Sequence, residues 1–482
     1  MSYEVVIGLE VHVELNTASK MFCACATDFG KEPNTQTCPV CLGQPGTLPV
    51  PNRAAIEALM RIGLALDCTI AAHSIFHRKN YFYPDMPKNY QISQYDLPLC
   101  LDGHLEVQVE GEQVSIGIER AHMEEDTGKS LHVGASGRIA DAEYSLLDYN
   151  RAGIPLVEIV SRPDIRSAEQ AQAYLTELRS IVKTLGVSDA RMEEGSMRCD
   201  ANISLRPVGA SEYGTKVEIK NLNSIRSLGR AISAEIDRQT AMLEAGQRIV
   251  QETRHFEEST GQTATLRSKE EAMDYRYFPE PDMVPISVDD QWVDRMRAML
   301  PELPRQRRER LASEHGLTPE QIGVVAASIE SVGYFDQLLA HGVAARDAAI
   351  WMAGELARAL NARGDDISAS KVEATDLATL IDAVGAGKVN LNTAKRAFQR
   401  AYEEGRTPMD IVETEGLTQV SDDDALVPLV DEVLSSHPDE VARFKAGEEK
   451  LMGFLMGQVM RAARGRGAPD AVKRVLGERL EA

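Results

Sequence analysis

The beginning of the chain alternates between apolar and other residues in the manner of a β-strand. Apolar side chains occupy every second position here: Val5, Ile7, Leu9, Val11, Val13 and Leu15. Successive side chains of a strand point to opposite faces, so Glu10, His12 and Glu14 share the other face. The pattern predicts a strand that buries one face and carries two carboxylates and an imidazole on the other.

Strand-like and helix-like patterns mix over roughly the first 290 residues. Further strands are predicted at Leu105–Gln108, Val114–Ile118, Ile154–Val160, Ala201–Leu205 and Lys216–Ile219. Helices are predicted at Ala54–Leu66, Ala168–Leu185 and Ile225–Leu243. Because strands and helices do not alternate regularly, this part is predicted to be α+β and not a doubly wound sheet.

Only helical patterns follow from about Asp290 onward. Thr318–Gln321 is a capping box with proline at the first helical position. Ala344–Leu360 is predicted as one alanine-rich helix. The acidic, turn-rich stretch Thr414–Asp424 is typical of a hinge, so the helical part is expected to divide there.

Composition narrows the class of protein. The chain has 482 residues and a formal net charge of −22, which predicts two or three domains and argues against a protein that coats DNA or RNA non-specifically. No run of 18 apolar residues predicts a membrane span. The start lacks the pattern of a signal or transit peptide. Seven cysteines suit a reducing compartment, so a cytoplasmic location is expected.

Four of the cysteines form two close pairs separated by twelve residues. They are Cys23 and Cys25, then Cys38 and Cys41. Each pair can offer two thiolates to one tetrahedral ion, so we predict a structural zinc knuckle over residues 23–41. The alternative is four reduced cysteines without a metal.

Acidic residues cluster in two further places. His122–Lys129 holds three acids beside a histidine, and Arg191–Asp200 adds a third cluster to that of the first strand. Three such clusters in one domain could converge on one or two Mg²⁺ ions, for which carboxylates are suitable ligands. The alternative is three acidic segments exposed to solvent.

Lysines and tyrosines interleave in the long aperiodic stretch His77–Tyr95. Lys79 and Lys88 could hold phosphates, and Tyr81 and Tyr83 could stack a base. The alternative is a surface loop pinned by prolines. The sequence contains no phosphate-binding P-loop, kinase signature or nucleophile elbow. Any ATP chemistry would therefore depend on metal ions and acids.

Together these segments resemble the B subunits of the tRNA-dependent amidotransferases, the GatB family. The similar segments are Gly8–Leu15, Cys23–Gly46, His77–Gln94, His122–Lys129, Asp148–Asp164, Arg191–Ser204, Lys216–Ser224, Asp274–Pro285, Lys388–Thr393 and Phe444–Arg461. The resemblance covers nearly the whole chain. The related archaeal GatE subunits share the early segments but carry an inserted domain, for which this chain has no room.

The resemblance implies an enzyme that amidates mischarged Glu-tRNA(Gln), Asp-tRNA(Asn) or both. ATP would convert the side-chain carboxylate into an acyl phosphate, which has a good leaving group, and ammonia would displace the phosphate. Mg²⁺ would neutralise the transferred phosphoryl group. An amidase A subunit would supply ammonia through an internal channel, and a small C subunit would complete the heterotrimer. No glutaminase-like nucleophile is found in this chain, which fits that division.

The resemblance also implies roles for individual residues. The Mg²⁺ ligands would be Glu10, His12, Glu124, Glu125, Glu194 and Asp200. The catalytic residues would be Glu10, His12, Glu125, Lys79 and Lys88, and the substrate-binding residues Tyr81, Tyr83, Asn150, Arg151 and Lys220. The zinc ligands would be Cys23, Cys25, Cys38 and Cys41. Three domains are expected: an α+β catalytic cradle with a mixed or antiparallel sheet at 1–292, a helical domain at 293–412 and a helical tail at 413–482.

The end of the chain is basic although the whole is acidic. Basic residues outnumber acidic ones within Lys445–Ala482. Gly453 and Gly457 share one helix face, along which an RNA backbone could approach closely. The tRNA contacts predicted here are Arg461, Arg464 and Arg466. The alternative is that the glycines pack against a neighbouring helix.

Two other classes of function are also compatible with the sequence. A tRNA-binding scaffold without chemistry would explain the tail but not the acidic clusters. A metal-dependent hydrolase would explain the clusters but would not need an RNA-binding tail. The same carboxylate chemistry serves both mischarged tRNAs, so both are open as substrates.

Overall fold

The computed structural model describes residues 2–134, 142–268, 274–418, 423–463 and 467–481. The chain divides into two compact units, Met1–Pro304 and Arg305–Ala482. In the described residues no helix has the length and apolar character needed to cross a membrane. The division into three domains at 292 and 412 is kept as a proposal.

In the residues that the structure describes, the first unit contains the strands and four helices. Its strands are Tyr3–Glu14 (β1), Thr69–Ile70 (β2), His73–Ser74 (β3), His77–Asn80 (β4), Tyr90–Ser93 (β5), Cys100–Val109 (β6), Glu112–Glu125 (β7), Lys129–Gly134 (β8), Ala142–Asp148 (β9), Pro155–Ser161 (β10), Met197–Pro207 (β11), Val217–Leu222 (β12), Glu252–Glu257 (β13), Gln262–Ser268 (β14), Phe278–Pro279 (β15) and Ile286–Ser287 (β16). Its helices are Arg53–Ala65 (α1), Ala168–Thr184 (α2), Ile225–Glu244 (α3) and Asp290–Ala298 (α4).

One large sheet organises this unit. Twelve strands pair in the order β14-β13-β12-β11-β1-β10-β7-β5-β4-β15, with β6 beside β7 and β2 beside β6. The pairs are antiparallel except for β12 with β13. The strand that the alternation predicts is therefore confirmed as β1, which lies between β10 and β11. The sheet confirms the α+β class with mixed and antiparallel pairing.

The three predicted helices of this unit are confirmed as α1, α2 and α3. Each is capped by a residue whose side chain accepts a hydrogen bond from a backbone N–H in the first turn of the helix. The capping residues are Asn52, Ser167 and Ser224. Their apolar faces share one core with the apolar face of β1, where Ile7 and Val11 are fully buried. The helices cover that side, so the polar side chains of β1 lie on the opposite side of the sheet.

The second unit is helical in the described residues, as predicted. Its α-helices are Pro304–His315 (α5), Pro319–Val325 (α6), Ile329–Ala340 (α7), Ala345–Trp351 (α8), Ala357–Arg363 (α9), Ala374–Gly385 (α10), Leu391–Glu404 (α11), Pro408–Thr414 (α12), Asp423–Ser436 (α13), Pro438–Lys445 (α14), Leu451–Ala462 (α15) and Pro469–Glu481 (α16). The capping box at Thr318 is present. The single helix predicted over 344–360 is interrupted by a π-helical turn at Met352–Leu356, which contains Gly354.

Two apolar cores hold these helices together. One contains residues between Leu311 and Val412, and the other contains residues between Leu426 and Leu480. The second core joins α13, α15 and α16, since Leu426, Leu455 and Leu476 are all fully buried in it. Helix α15 therefore depends on its neighbours for its folded position.

A buried carboxylate connects α3 to one end of the large sheet. Glu235 is fully buried and accepts hydrogen bonds from Arg238 Nε at 2.9 Å, Gln239 Nε2 at 2.8 Å and Thr263 Oγ1 at 3.0 Å. Arg254 of β13 lies 3.6 Å from the same carboxylate. The charge is thus compensated from both the helix and the strands.

We expect Glu235→Ala to lower the free energy of unfolding of the first unit by about 1–3 kcal/mol, because the buried Gln239 amide and Thr263 lose their acceptor. The partly buried Arg238 and Arg254 keep Glu252 as an acidic partner. Denaturant unfolding followed by circular dichroism measures the change. The exposed Glu244 at the end of the same helix provides the control, and Glu244→Ala should change stability by less than about 0.5 kcal/mol. Equal stability of the two variants would contradict the structural role of Glu235.

Candidate functional site

The polar face of β1 is the centre of the site, because β1 lies in the middle of the sheet. The register pairs His12 with Glu158 of β10, and Glu158 in turn with His122 of β7. Directly paired residues of antiparallel strands share a face, so these three side chains form a row across the sheet. Glu124 follows two residues after His122 and therefore points to the same face.

His12, Glu124 and Glu158 each offer a ligand atom, and these atoms lie within 4.8 Å of one another. His12 Nε2 is 3.4 Å from a Glu158 oxygen, and His122 Nε2 is 3.6 Å from Glu124 and 3.7 Å from Glu158. Two carboxylate oxygens suit Mg²⁺, and an imidazole nitrogen extends the range to transition metals. The donor set therefore fits a divalent cation.

Strands β4 and β5 hold Glu124 in place. Its carboxylate accepts hydrogen bonds from Ser93 Oγ at 2.7 Å and Gln91 Nε2 at 3.1 Å. The Lys79 ammonium lies 3.6 Å from the same carboxylate. Glu124 is 3% exposed, so its orientation is fixed by these neighbours and not by water.

The charges in this group compensate one another. Burial alone would lower the pKa of His12, but the hydrogen bond to Glu158 and the nearby carboxylates raise it. Burial also opposes ionisation of Glu158, yet His122 and His12 lower its pKa to about 2. Lys79 and His122 likewise hold the pKa of Glu124 well below its usual range against the effect of burial. Both carboxylates are therefore ionised at neutral pH and ready to accept a cation.

Glu10 and Asp200 form a neighbouring acidic pair on adjacent strands. Their positions are paired in the register of β1 with β11. Glu10 accepts a hydrogen bond from Asn202 Nδ2 at 2.9 Å, and Asp200 accepts one from Lys220 Nζ at 2.8 Å. Burial and the charge of Glu158 raise the pKa of Glu10. These two predicted ligands thus lie beside the central group but outside the set within 4.8 Å.

A pair of carboxyl groups, Glu14 and Asp126, extends the same face in the other direction. Asp126 is 2% exposed and has Arg198 at 3.1 Å and Arg151 at 3.4 Å. Burial and a hydrogen bond with Asp126 raise the pKa of Glu14 to about 9. Arg151, a predicted substrate-binding residue, also donates to Thr127 O at 3.1 Å. It therefore braces the end of β7.

Glu125 has a separate environment from that of Glu124. Consecutive strand residues point to opposite faces, and the Glu125 carboxylate forms a buried ion pair with Lys88. It also accepts the Ile92 backbone N–H at 2.8 Å. The structure thus unites the predicted residues Glu125 and Lys88 with each other, apart from the His12 group.

The four cysteines come together as predicted. Their sulfur atoms lie within 4.8 Å of one another, which fits a tetrahedral metal site with four thiolate ligands. Cys41 Sγ accepts the Cys38 backbone N–H at 3.2 Å and lies 3.8 Å from Lys20 Nζ. A hydrogen bond from Cys23, together with Lys20, lowers the pKa of Cys41 to about 5. The surroundings therefore favour the thiolate form of Cys41, with the buried Lys20 side chain beside it.

A cavity of about 300 Å³ connects the knuckle with the Lys88–Glu125 pair. Lys20, Cys41, Gly43 and Lys88 are among its lining residues. Gly43 has φ +66°, and a Cβ atom there would overlap Lys88 Cγ. The end of the knuckle therefore packs directly on the Lys88 side chain.

The other predicted residues have different surroundings. Tyr81 and Tyr83 stack with ring centroids 4.8 Å apart. Asn150 donates to Glu32 O at 2.7 Å and so supports the loop between the cysteine pairs. Glu194 lies in an exposed turn, where it pairs with Arg191 at 2.9 Å. It belongs to neither group of potential metal ligands.

The predicted tRNA contacts belong to the second unit. Arg461 is exposed at the end of α15, and Arg464 and Arg466 lie outside the described residues. A Cβ atom on Gly453 or Gly457 would meet no described atom within 4 Å. Within the part of the chain that the structure describes, these glycines therefore leave an open helix face and pack against no neighbour.

Two residues of the candidate site are missing from the sequence predictions. Glu158 is the sole acid within the apolar strand Pro155–Ser161, and a lone charge in such a strand is the signal that could have identified it. Lys20 is fully buried and donates to Tyr149 O at 3.0 Å besides its contact with Cys41. Its position just before the first cysteine pair gave no such signal.

Comparison with known proteins agrees with this geometry. Residues 5–294 match the GatB/GatE catalytic domain, and residues 333–480 match the GatB domain. The chain is 49% identical over 476 residues to the B subunit of the aspartyl/glutamyl-tRNA(Asn/Gln) amidotransferase of Thermodesulfovibrio yellowstonii, covering 99% of both chains. The protein of the same name from Frankia casuarinae is 53% identical over 486 residues, covering 99% of this chain and 96% of that one. That from Geobacter sulfurreducens is 49% identical over 481 residues, covering 100% of both. The chain therefore belongs to the GatB family of amidotransferase B subunits.

Proposed function

We propose that this chain is the B subunit of an ATP-dependent enzyme that amidates Glu-tRNA(Gln), Asp-tRNA(Asn) or both. Family membership supports the reaction, and the convergence of His12, Glu124 and Glu158 beside Lys79 supports its location in the first unit. The direct test is amide formation on each mischarged tRNA by the complex reconstituted with ATP and glutamine. Failure to amidate either tRNA would overturn the proposal.

The reaction needs activation because a carboxylate is a poor acyl donor. Phosphoryl transfer from ATP to the side-chain carboxylate releases ADP and gives an acyl phosphate. Ammonia then attacks the acyl carbon, phosphate leaves, and the amine loses a proton to give the amide. A Mg²⁺ ion at this site would neutralise charge on the transferred phosphoryl group.

The residues of the chain have distinct tasks in this scheme. His12, Glu124 and Glu158 would hold the metal ion, with Glu10 and Asp200 beside them. The Lys79 ammonium would offer a positive charge to the phosphates. Burial opposes that charge, but Glu124 and Tyr277 raise the pKa of Lys79 and so keep the ammonium charged. Lys88 and Glu125 would form a second polar centre at the cavity below the knuckle.

A scaffold without chemistry is the less favoured function. Buried carboxylates are costly to maintain, and Glu124 and Glu158 are 3% and 9% exposed. A protein that only held tRNA would gain nothing from such a group. The buried acidic group therefore favours an enzyme.

The proposed assembly includes an amidase A subunit that releases ammonia from glutamine and a small C subunit. The curated relatives are named as B subunits, which supports a complex with other subunits. No nucleophile with a matched base was found in the sequence. Glutamine hydrolysis is therefore assigned to the partner.

Zinc is proposed for the cysteine group, with a structural role. All four sulfur atoms are close enough for one ion, and four protein ligands leave no position for substrate. The basic end of the chain is proposed to contact the tRNA body, with Arg461 on the open face of α15. Both assignments lead to direct measurements.

We expect Glu124→Gln to reduce kcat for amide formation by about 100-fold, because it keeps the shape of the side chain but removes a charge that would hold the cation. Binding of tRNA, measured by filter retention, should not change. Glu119→Gln on the same strand provides the control, since the Glu119 side chain is 51% exposed and pairs only with Arg120 among the contacts seen. Near-normal kcat of the Glu124 variant would remove this residue from the site.

We expect elemental analysis of the purified protein to find about one zinc per chain. Cys38→Ala should lower the zinc content strongly, because three thiolates hold the ion less well than four. Cys68→Ala is the matched control, since Cys68 is buried outside the knuckle. Equal zinc content in the two variants would show that the knuckle is not the zinc site.

We expect Arg461→Ala to raise KM for mischarged tRNA and to reduce the slope of log affinity against log salt by about 1, as for the loss of one phosphate contact. KM for ATP should stay the same. A single substitution tests the RNA contact more directly than removal of the tail, because deleting α15 and α16 would also expose the buried residues Leu426 and Val430. Arg346→Ala, at an exposed position outside the tail, is the control. An unchanged salt slope would exclude Arg461 from the RNA contact.

A further inference from the structure

A pair of stacked tyrosines lies close to the acidic centre, and the proposed reaction gives neither of them a role. The rings of Tyr95 and Tyr277 are parallel within 9°, with centroids 4.1 Å apart. Tyr95 follows β5, and Tyr277 directly precedes β15. The two residues are distant in sequence, so the tertiary structure brings them together.

The backbone around Tyr277 is held firmly against β4. Asn80 donates through its backbone N–H to Tyr275 O at 2.9 Å and through Nδ2 to Arg276 O at 2.8 Å. Arg276 has φ +44°, a backbone conformation that residues other than glycine rarely adopt. The hydrogen bonds from Asn80 therefore stabilise a strained turn that orients Tyr275 and Tyr277.

A short series of contacts leads from these rings to the acidic centre. The rings of Tyr275 and Tyr277 are 6.2 Å apart. Lys79 Nζ lies 5.2 Å from the centroid of Tyr275 and 3.6 Å from Glu124. Burial raises the pKa of Tyr277 to about 12, while the nearby Lys79 lowers it and Glu124 raises it further. The stacked pair thus borders the cation that would meet the phosphates.

The outer ring of the pair is open to solvent. Tyr95 is 54% exposed although Tyr277 covers one of its faces. His77 meets the Tyr95 ring edge-on at 5.9 Å and is itself fixed by Asp96 at 3.1 Å. The ring is therefore held in a fixed orientation while much of its surface stays accessible.

We propose that Tyr95 and Tyr277 form a platform on which a nucleobase of one substrate stacks while the charged part of that substrate lies at Lys79 and the acidic centre. Aromatic rings bind bases in this way because every base presents a flat π-face. The inference rests on the proposed function, which brings two nucleobase carriers to this site. These are ATP and the single-stranded 3′ end of the charged tRNA.

Variants of Tyr95 test the platform in the reconstituted complex. Tyr95→Ala should raise KM for one of the two substrates by about tenfold while kcat changes little, because stacking contributes to binding and not to the reacting atoms. Tyr95→Phe should behave like the unchanged enzyme, since it keeps the ring. Tyr213→Ala is the matched control: Tyr213 is 61% exposed and contacts Arg206, away from this series of contacts.

The two sources of the base give different results. A rise in KM for ATP alone identifies the adenine of the nucleotide, and a rise for aminoacyl-tRNA alone identifies the 3′-terminal base. KM values for both substrates within about twofold of the unchanged enzyme would overturn the platform. So would a Tyr95→Phe variant as impaired as Tyr95→Ala, because the hydroxyl and not the ring would then be responsible.

Binding without turnover separates this inference from the proposed function. Equilibrium dialysis with ATP and filter retention of uncharged tRNA use the same complex and need no amide formation. Weaker binding of one ligand to the Tyr95→Ala complex supports the platform even if the unchanged complex forms no amide. If the unchanged complex forms amide and the variant binds both ligands normally, the platform fails and the proposed function stands.

Discussion

An ionised carboxylate that is buried in the middle of a sheet requires partners that compensate its charge, and the first unit meets this condition at Glu158 and Glu124. Glu158 lies between His12 and His122, and Glu124 lies beside Lys79. The two carboxylates and these partners come from four different strands, β1, β4, β7 and β10. No local segment could hold the group alone, so the site exists only when the sheet is complete. The order of the strands is thus as much a part of the site as the side chains.

The two polar centres of the unit differ in what surrounds them. The His12 group lies on the face of the sheet that the helices leave free, where a divalent cation could bind to Glu124 and Glu158. The Lys88–Glu125 pair is already neutral and lies against the knuckle, within a cavity that Lys20 also lines. Adjacent residues of one strand, Glu124 and Glu125, supply the two centres. Strand β7 therefore connects them rigidly.

Local periodicity was enough to predict β1 and the shared face of Glu10, His12 and Glu14, because the alternation of a strand is a property of a few consecutive residues. The same rule, applied to Glu124 and Glu125, would have separated them, whereas grouping acids by proximity in sequence placed them together. Glu158 could not be predicted in this way. Its burial results from the position of β10 between β1 and β7, which depends on pairing between segments far apart in the chain.

The conformation of Gly43 indicates which positions near the cysteines can be substituted by other residues. Its left-handed backbone and its close approach to Lys88 both disfavour any side chain. The role proposed for the thiolates is structural, and a loop can also be braced by a hydrogen-bonded turn or a small apolar cluster. Variation among proteins with this architecture should therefore be freer at the four cysteine positions than at this one glycine. In this segment, the close packing of the backbone on Lys88 constrains the sequence more strictly than the binding of a metal ion does.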